Sequence, residues 1–349
     1  MRALVHAAVL LPPGYHLEAV ATGLLSPSAV TFDHIGGVYV LESGSAEDLT
    51  PARLLRVGPG GETETIATGD DPPWVGVAWH EGSFFVTEAG ARKGPRILRV
   101  ELDGERTVMA PNVGGRVNHR IQGPVVGPDG WLYFHQDAAA GSAATAPDGS
   151  VMRLSTHQGW LEVVASGFRS ASGLAFSPDG RLYVTDLGLW EVEPGAWYGG
   201  SRLAAGEPPA EGRITGSSAL DAESDVDEWQ DAPPEPVLLF DAHGGPAGFD
   251  FSRNIDFGHV GEAFLTHFGA GSGGLAANAD LVRVDLQSGG RVAPFATHRG
   301  SGTGLGRPVA LRFDPTGRSL YVVDAGAAPR GDDTGPAPGV LWRIWYDGR

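Results

Sequence analysis

Short runs in which apolar and polar residues alternate, separated by turns bearing Gly and Pro, recur from one end of the chain to the other. A period of two predicts β-strands. The runs come in pairs: an apolar strand enters a Pro-Asp-Gly-type turn, and a second strand follows that ends in an acid. The clearest copies are Gly173–Asp186, Val309–Asp324 and Gly123–Asp137. Weaker copies are Ser28–Glu42, Val75–Glu88 and Ala247–His267, the last closing on His rather than an acid. Between the pairs lie further strand-like runs, Arg53–Val57, Ile97–Glu101, Val151–Ser155, Asp280–Leu286 and Val340–Tyr346. A period of roughly 50 residues made only of short strands predicts a β-propeller. Six copies predict an all-β, six-bladed ring of four-stranded antiparallel sheets. No single unit can bury both faces of its small sheet, so the blades must stack radially.

Closure of the ring is also written in the pattern. Tyr15–Thr22 alternates polar and apolar residues ahead of the first full repeat, while Val340–Tyr346 ends the last repeat with no outer strand after it. The N-terminal strand is therefore expected to become the outermost strand of the final blade, removing an exposed edge. No linker separates groups of repeats, so residues 1–349 are expected to form one domain. Residues 199–236, rich in Gly, Pro, Ser and acids, read either as a solvated surface insertion or as a lid over the ligand face. Residues 269–278 form a second, Gly-rich insertion.

Composition then narrows the chemistry. A hydrophobic content of 42% is ample for a core, so the 53 Gly and 26 Pro report turns and not disorder. The net charge of −17 argues against nucleic acids and anionic membrane surfaces as partners. There is no cysteine, which excludes disulfides, thiolate catalysis and Cys-zinc sites, and Lys93 is the only lysine. No run approaches the length of a membrane-spanning helix. Met1–Leu11 has a short apolar stretch interrupted by His6 and no small-residue cleavage site, so it makes a poor signal peptide.

Propellers bind ligands where the innermost strands begin and where the loops after the second strands converge. Just before the first strands the chain offers His119-Arg120, Phe168-Arg169-Ser170, His243 and Arg307; just after the second strands it offers Glu42, Glu88, Gln136-Asp137, Asp186, His267 and Asp324. Two readings stand side by side for the acids, ligand contact and capping of the following turn. Arg307 reads either as a ligand contact or as a structural ion pair. His119 is the leading candidate base, because imidazole is the side chain best suited to proton abstraction near neutral pH. Gln122 and Trp197 are candidate substrate contacts beside it.

Asn118–Phe134, Gly167–Asp186 and Leu305–Asp324 resemble blades of the glucose/sorbosone dehydrogenase family, soluble six-bladed propellers that use pyrroloquinoline quinone (PQQ) with calcium. Leu11–Leu24, Pro194–Gly199, Gly248–Ser252, Gly258–Gly269 and Gly339–Ile344 extend the likeness over nearly the whole chain. The resemblance implies that His119, eight residues before a Gly-Pro-Asp turn, takes a hydroxyl proton from a sugar or other alcohol. It implies a cofactor contact at Arg169 with Ser170 beside it; place at the rim adds His267 and Arg307 as candidate cofactor contacts, and His243 joins Gln122 and Trp197 as a candidate substrate contact. Ser170 stands where the family carries Asn, and Leu187–Trp197 is shorter and more apolar than the family's calcium-holding loop. By resemblance the protein is expected to be secreted or periplasmic. Two other functions stay open: a non-catalytic propeller that binds protein or carbohydrate, and a calcium-dependent lactonase-type hydrolase.

Overall fold

A computed structural model of the chain describes residues 9–113, 121–137, 149–168, 172–186, 188–198, 234–239, 246–267, 280–298, 305–326 and 338–348. These residues form six antiparallel sheets arranged as a ring, a six-bladed β-propeller, with no helix among them. In the first four blades the strands run in sequence order from inside to outside. Pro27–Phe32, Trp74–His80, Ile121–Val126, Gly173–Phe176, Pro246–Phe251 and Pro308–Phe313 are the six inner strands.

The last blade closes as the alternation predicts. Tyr15–Leu24 lies antiparallel to Gly339–Tyr346, with His16 opposite Trp345 and Thr22 opposite Val340. One strand was not legible in the pattern: Val9–Leu10 adds a fifth strand to blade five, with Val9 opposite His298. Two residues are too few to show a period, so only the outer edge of Arg291–His298 defines this strand.

Burial explains why some strands alternate clearly and others do not. Second strands lie between two neighbouring blades, and all of Ser83–Glu88 and Ser319–Asp324 is buried. Outer strands such as Arg106–Ala110 and Leu161–Ala165 start exposed and bury only their last residue. The apolar core is divided into six clusters, one at each seam between blades. At the seam of blades one and two, Tyr39, Leu41 and Leu54 pack on Trp74, Val77 and Phe84. At the ring closure Val323 and Leu341 pack on Val30 and Val40. Stacking of blades is therefore what removes apolar surface from water, the dominant favourable contribution to folding.

The turns follow their residues. In the Pro-Asp-Gly copies, Gly130 and Gly180 sit at φ of +78° and +83° and donate their N–H groups to the carbonyls of Gly127 and Ser177. The weaker second copy turns on Glu81-Gly82, with φ of +47° and +87°, the two-residue hairpin whose twist suits the flanking strands.

Candidate active site

Every inner strand starts at the same end of the ring, here the proximal mouth, and runs toward the distal mouth. Five of the six begin with an irregularity in register, between Pro27 and Ala29, Trp74 and Gly76, Gln122 and Val125, Pro246 and Phe249, and Pro308 and Ala310. Threonines on the second strands satisfy the backbone freed there. Thr87 Oγ1 accepts from Gly76 N–H at 3.0 Å and donates to the Gly123 carbonyl of the next blade at 2.8 Å. Thr266 Oγ1 accepts from Gly248 N–H at 2.8 Å. The inner strands approach so closely that a Cβ on Gly76 would stand 1.7 Å from the Gly123 carbonyl oxygen. Small residues at this level thus set the bore of the channel.

The result is a cavity of about 750 Å³ at the proximal mouth, lined from all six blades. Its polar groups include Ser28, Gln122, Ser172, Asp186 and Arg307, with Arg312 deeper in the channel. Gln122 and Arg307 are half-buried and line this space. Trp197 does not line it: it is bridged to Ser166 beyond the outermost strand of blade three. His267 ends the second strand of blade five, its backbone opposite Pro246 and Asp280. His119, Arg169, Ser170 and His243 lie outside the described residues, as do residues 199–233 and 269–278.

Several rim acids turn out to be structural. Glu42 accepts from Leu25 N–H at 2.7 Å and from Arg53 Nη2 at 2.5 Å, Arg53 being its cross-strand neighbour. Glu88 repeats the device with Trp74 Nε1–H at 2.9 Å and Arg96 Nε at 2.7 Å. Asp324 accepts three backbone N–H groups, from Gly306, Arg307 and Gly326, at 2.6, 2.7 and 2.8 Å. It thereby fixes the backbone that carries Arg307 into the cavity. Of the acids closing second strands, Asp186 lines the cavity itself.

Two polar residues inside the ring, one buried and one half-buried, escaped the reading of the rim. His135 is fully buried at the register where other blades place Leu41, Thr87, Thr185 or Val323. Its Nδ1 lies 3.3 Å from Asp137 Oδ1, and its ring meets Phe168 edge-on at 5.9 Å. The signal was present in Phe134-His135-Gln136-Asp137, where other copies carry Thr, Leu or Val. Arg312 is the other, a charge inside the apolar inner strand Pro308–Phe313.

Neither protein-family models nor curated protein sequences give a match to this chain. Solved structures do match in fold. A Thermus thermophilus protein assigned as an oxidoreductase (glucose dehydrogenase) is 21% identical with a TM-score of 0.64, covering 95% of this chain and 100% of that one. The PQQ-bound aldose sugar dehydrogenase of Streptomyces coelicolor is 19% identical with a TM-score of 0.62, covering 96% and 100%. A gluconolactonase of Xanthomonas campestris is 17% identical with a TM-score of 0.55, covering 99% and 93%. Identities this low establish a shared six-bladed propeller and leave the chemistry to the site.

Proposed function

We propose that this protein oxidises a sugar or another polyol with PQQ, with His119 as the base. The observation that carries the proposal is the wide cavity at the proximal mouth, whose lining includes the polar groups of Gln122, Ser172 and Arg307. His119 stands three residues ahead of Gln122 and Arg169 three ahead of Ser172. The likeness in fold to sugar dehydrogenases supports the same reading.

The lining fits a quinone carrying carboxylates by size and charge. Arg307 presents a fork suited to bidentate carboxylate contact, Arg169 would add a second, and the only carboxylate of the described lining is Asp186. No group of three or more His, Cys, Asp or Glu able to hold a metal occurs among the described residues, so they supply no carboxylate cage for calcium. When bound, the quinone would supply the hydride acceptor. The chain's own part is to orient the substrate through Gln122 and to receive the hydroxyl proton at the His119 imidazole.

Calorimetric titration with PQQ and calcium, followed by a dye-linked assay across aldoses and alcohols, tests this. Saturable binding with turnover is expected. His119→Gln should cut turnover on the order of 10²–10⁴-fold while leaving PQQ affinity near wild type. Arg169→Ala should weaken PQQ binding by about one to two decades. Hydrolysis of lactones without quinone binding would instead establish the hydrolase, and silence in both assays the non-catalytic propeller.

A further inference from the structure

The channel has a second opening. Where the six inner strands end, a smaller cavity of about 220 Å³ is lined by Thr31, Trp79, Val126, Phe176, Arg253 and Phe313, among others. Arg312 and Val77 line both this cavity and the larger one, so Arg312 stands at the waist between them. The space equals roughly seven waters at their liquid volume.

Arg312 occupies a register position, just before the end of the inner strand, at which the other blades place Thr31, Ala78, Val125, Ala175 and Asp250. Asp250, its neighbour on blade five, is already engaged. Its Oδ1 accepts from Phe251 N–H at 2.8 Å and Arg253 Nη1 at 2.9 Å, and its Oδ2 from Phe313 N–H at 3.0 Å. Arg253 is held as well, donating to the Phe176 carbonyl at 2.6 Å and the Phe251 carbonyl at 2.9 Å. Arg312 makes no hydrogen bond and no ion pair within 4 Å among the described residues, and Asp250 acts on it only through space. The distal lining thus holds two guanidiniums and no carboxylate, with the charge of one arginine left over after Asp250 is counted.

Protein encloses Arg312, and its accessible surface faces the channel. Burial lowers its pKa from the ordinary arginine value, and Asp250 pulls it back up. A cation held this way in an acidic protein calls for a counter-charge.

We propose that the distal mouth is an anion site in which Arg312, flanked by Arg253, binds one small oxyanion, a carboxylate or a phosphate, in a fork contact. The aromatic walls of Trp79, Phe176 and Phe313 exclude water around it. The site shares Arg312 with the floor of the proximal cavity but opens at the other end of the channel, and it does not depend on the proposed oxidoreductase reading.

The test is thermal unfolding of the whole chain in increasing acetate or inorganic phosphate, with ionic strength and pH held constant using sodium chloride. A ligand that binds only the folded state raises the midpoint with concentration. We expect a saturating rise in the wild type that is lost in Arg312→Gln. A rise with both anions identifies a general oxyanion site, and a rise with phosphate alone a phosphate site. Crystals soaked in bromide, read by anomalous scattering, should place a halide beside the Arg312 guanidinium, and this decides the matter if the variant does not fold. No rise with either oxyanion, a rise that persists in Arg312→Gln, or no bromide beside Arg312 overturns the proposal.

Discussion

Glu88 offers the sharpest test of how the blades are held. Its carboxylate is fully buried and faces Arg96, whose side chain is only 14% exposed, across the second and third strands. It also receives the indole N–H of Trp74, itself fully buried on the inner strand. Replacing Glu88 by Gln keeps the shape and one acceptor but leaves the Arg96 guanidinium buried without a counter-charge. Breaking a buried pair from one side typically costs about 3–5 kcal/mol. Glu101 provides the control, because its pair with Arg99 at 2.8 Å is 36% and 42% exposed and belongs to the class worth about 0–1 kcal/mol. Urea unfolding followed by tryptophan fluorescence should show Glu88→Gln losing several-fold more stability than Glu101→Gln. In the double variant Glu88→Gln/Arg96→Met the buried charge disappears, so the loss should fall short of the sum of the singles by more than about 1 kcal/mol. Equal costs for Glu88→Gln and Glu101→Gln, or additivity within about 0.5 kcal/mol, would refute the reasoning.

Two further outcomes follow from the packing. Gly76→Ala drives a methyl into the Gly123 carbonyl, a backbone atom that cannot step aside, and should destabilise by about 1–3 kcal/mol or more in the same urea assay. Tyr15 donates to the Phe257 carbonyl at 2.5 Å and its pKa is pushed up to about 12, first by burial and then by Tyr346. Tyr198 is pushed up to about 12 chiefly by burial. Because the folded state favours the neutral phenols, their contribution is complete below about pH 10 and is lost as pH rises toward 12. Melting temperature should fall across that window, and the fall should be shallower in Tyr15→Phe.

Much of this was legible without coordinates. The turn-separated strand pairs of Gly173–Asp186 and Val309–Asp324 specify the blade, because a turn and a period of two are local properties of the chain. Tyr15–Thr22 announced its place in the last blade because Val340–Tyr346 had no outer strand after it, and the two pair as expected. Gln122 and Arg307 stand at the same end of their blades, because equal phase in a repeat means equal height on the ring.

Other features needed the assembled ring. Glu42, Glu88 and Asp324 share one phase with Asp186, yet only Asp186 lines the cavity. Their hydrogen-bond partners, such as Arg53, Trp74 and Gly306, come from other strands and loops, and sequence phase cannot rank those partners. Trp197 illustrates the same limit, since its bridge to Ser166 of the preceding blade carries it away from the channel lining. Arg312 is the plainest case. In the sequence it is one polar residue in an alternating strand, but six inner strands converging on an axis place its charge inside the channel. The sequence determined the strands, the turns and the number of blades, because those depend on residues close together in the chain. The tertiary structure alone decided which side chains share the channel, because that depends on how closely six separate strands approach, and small residues such as Gly76 and Gly248 set that approach through contacts between blades.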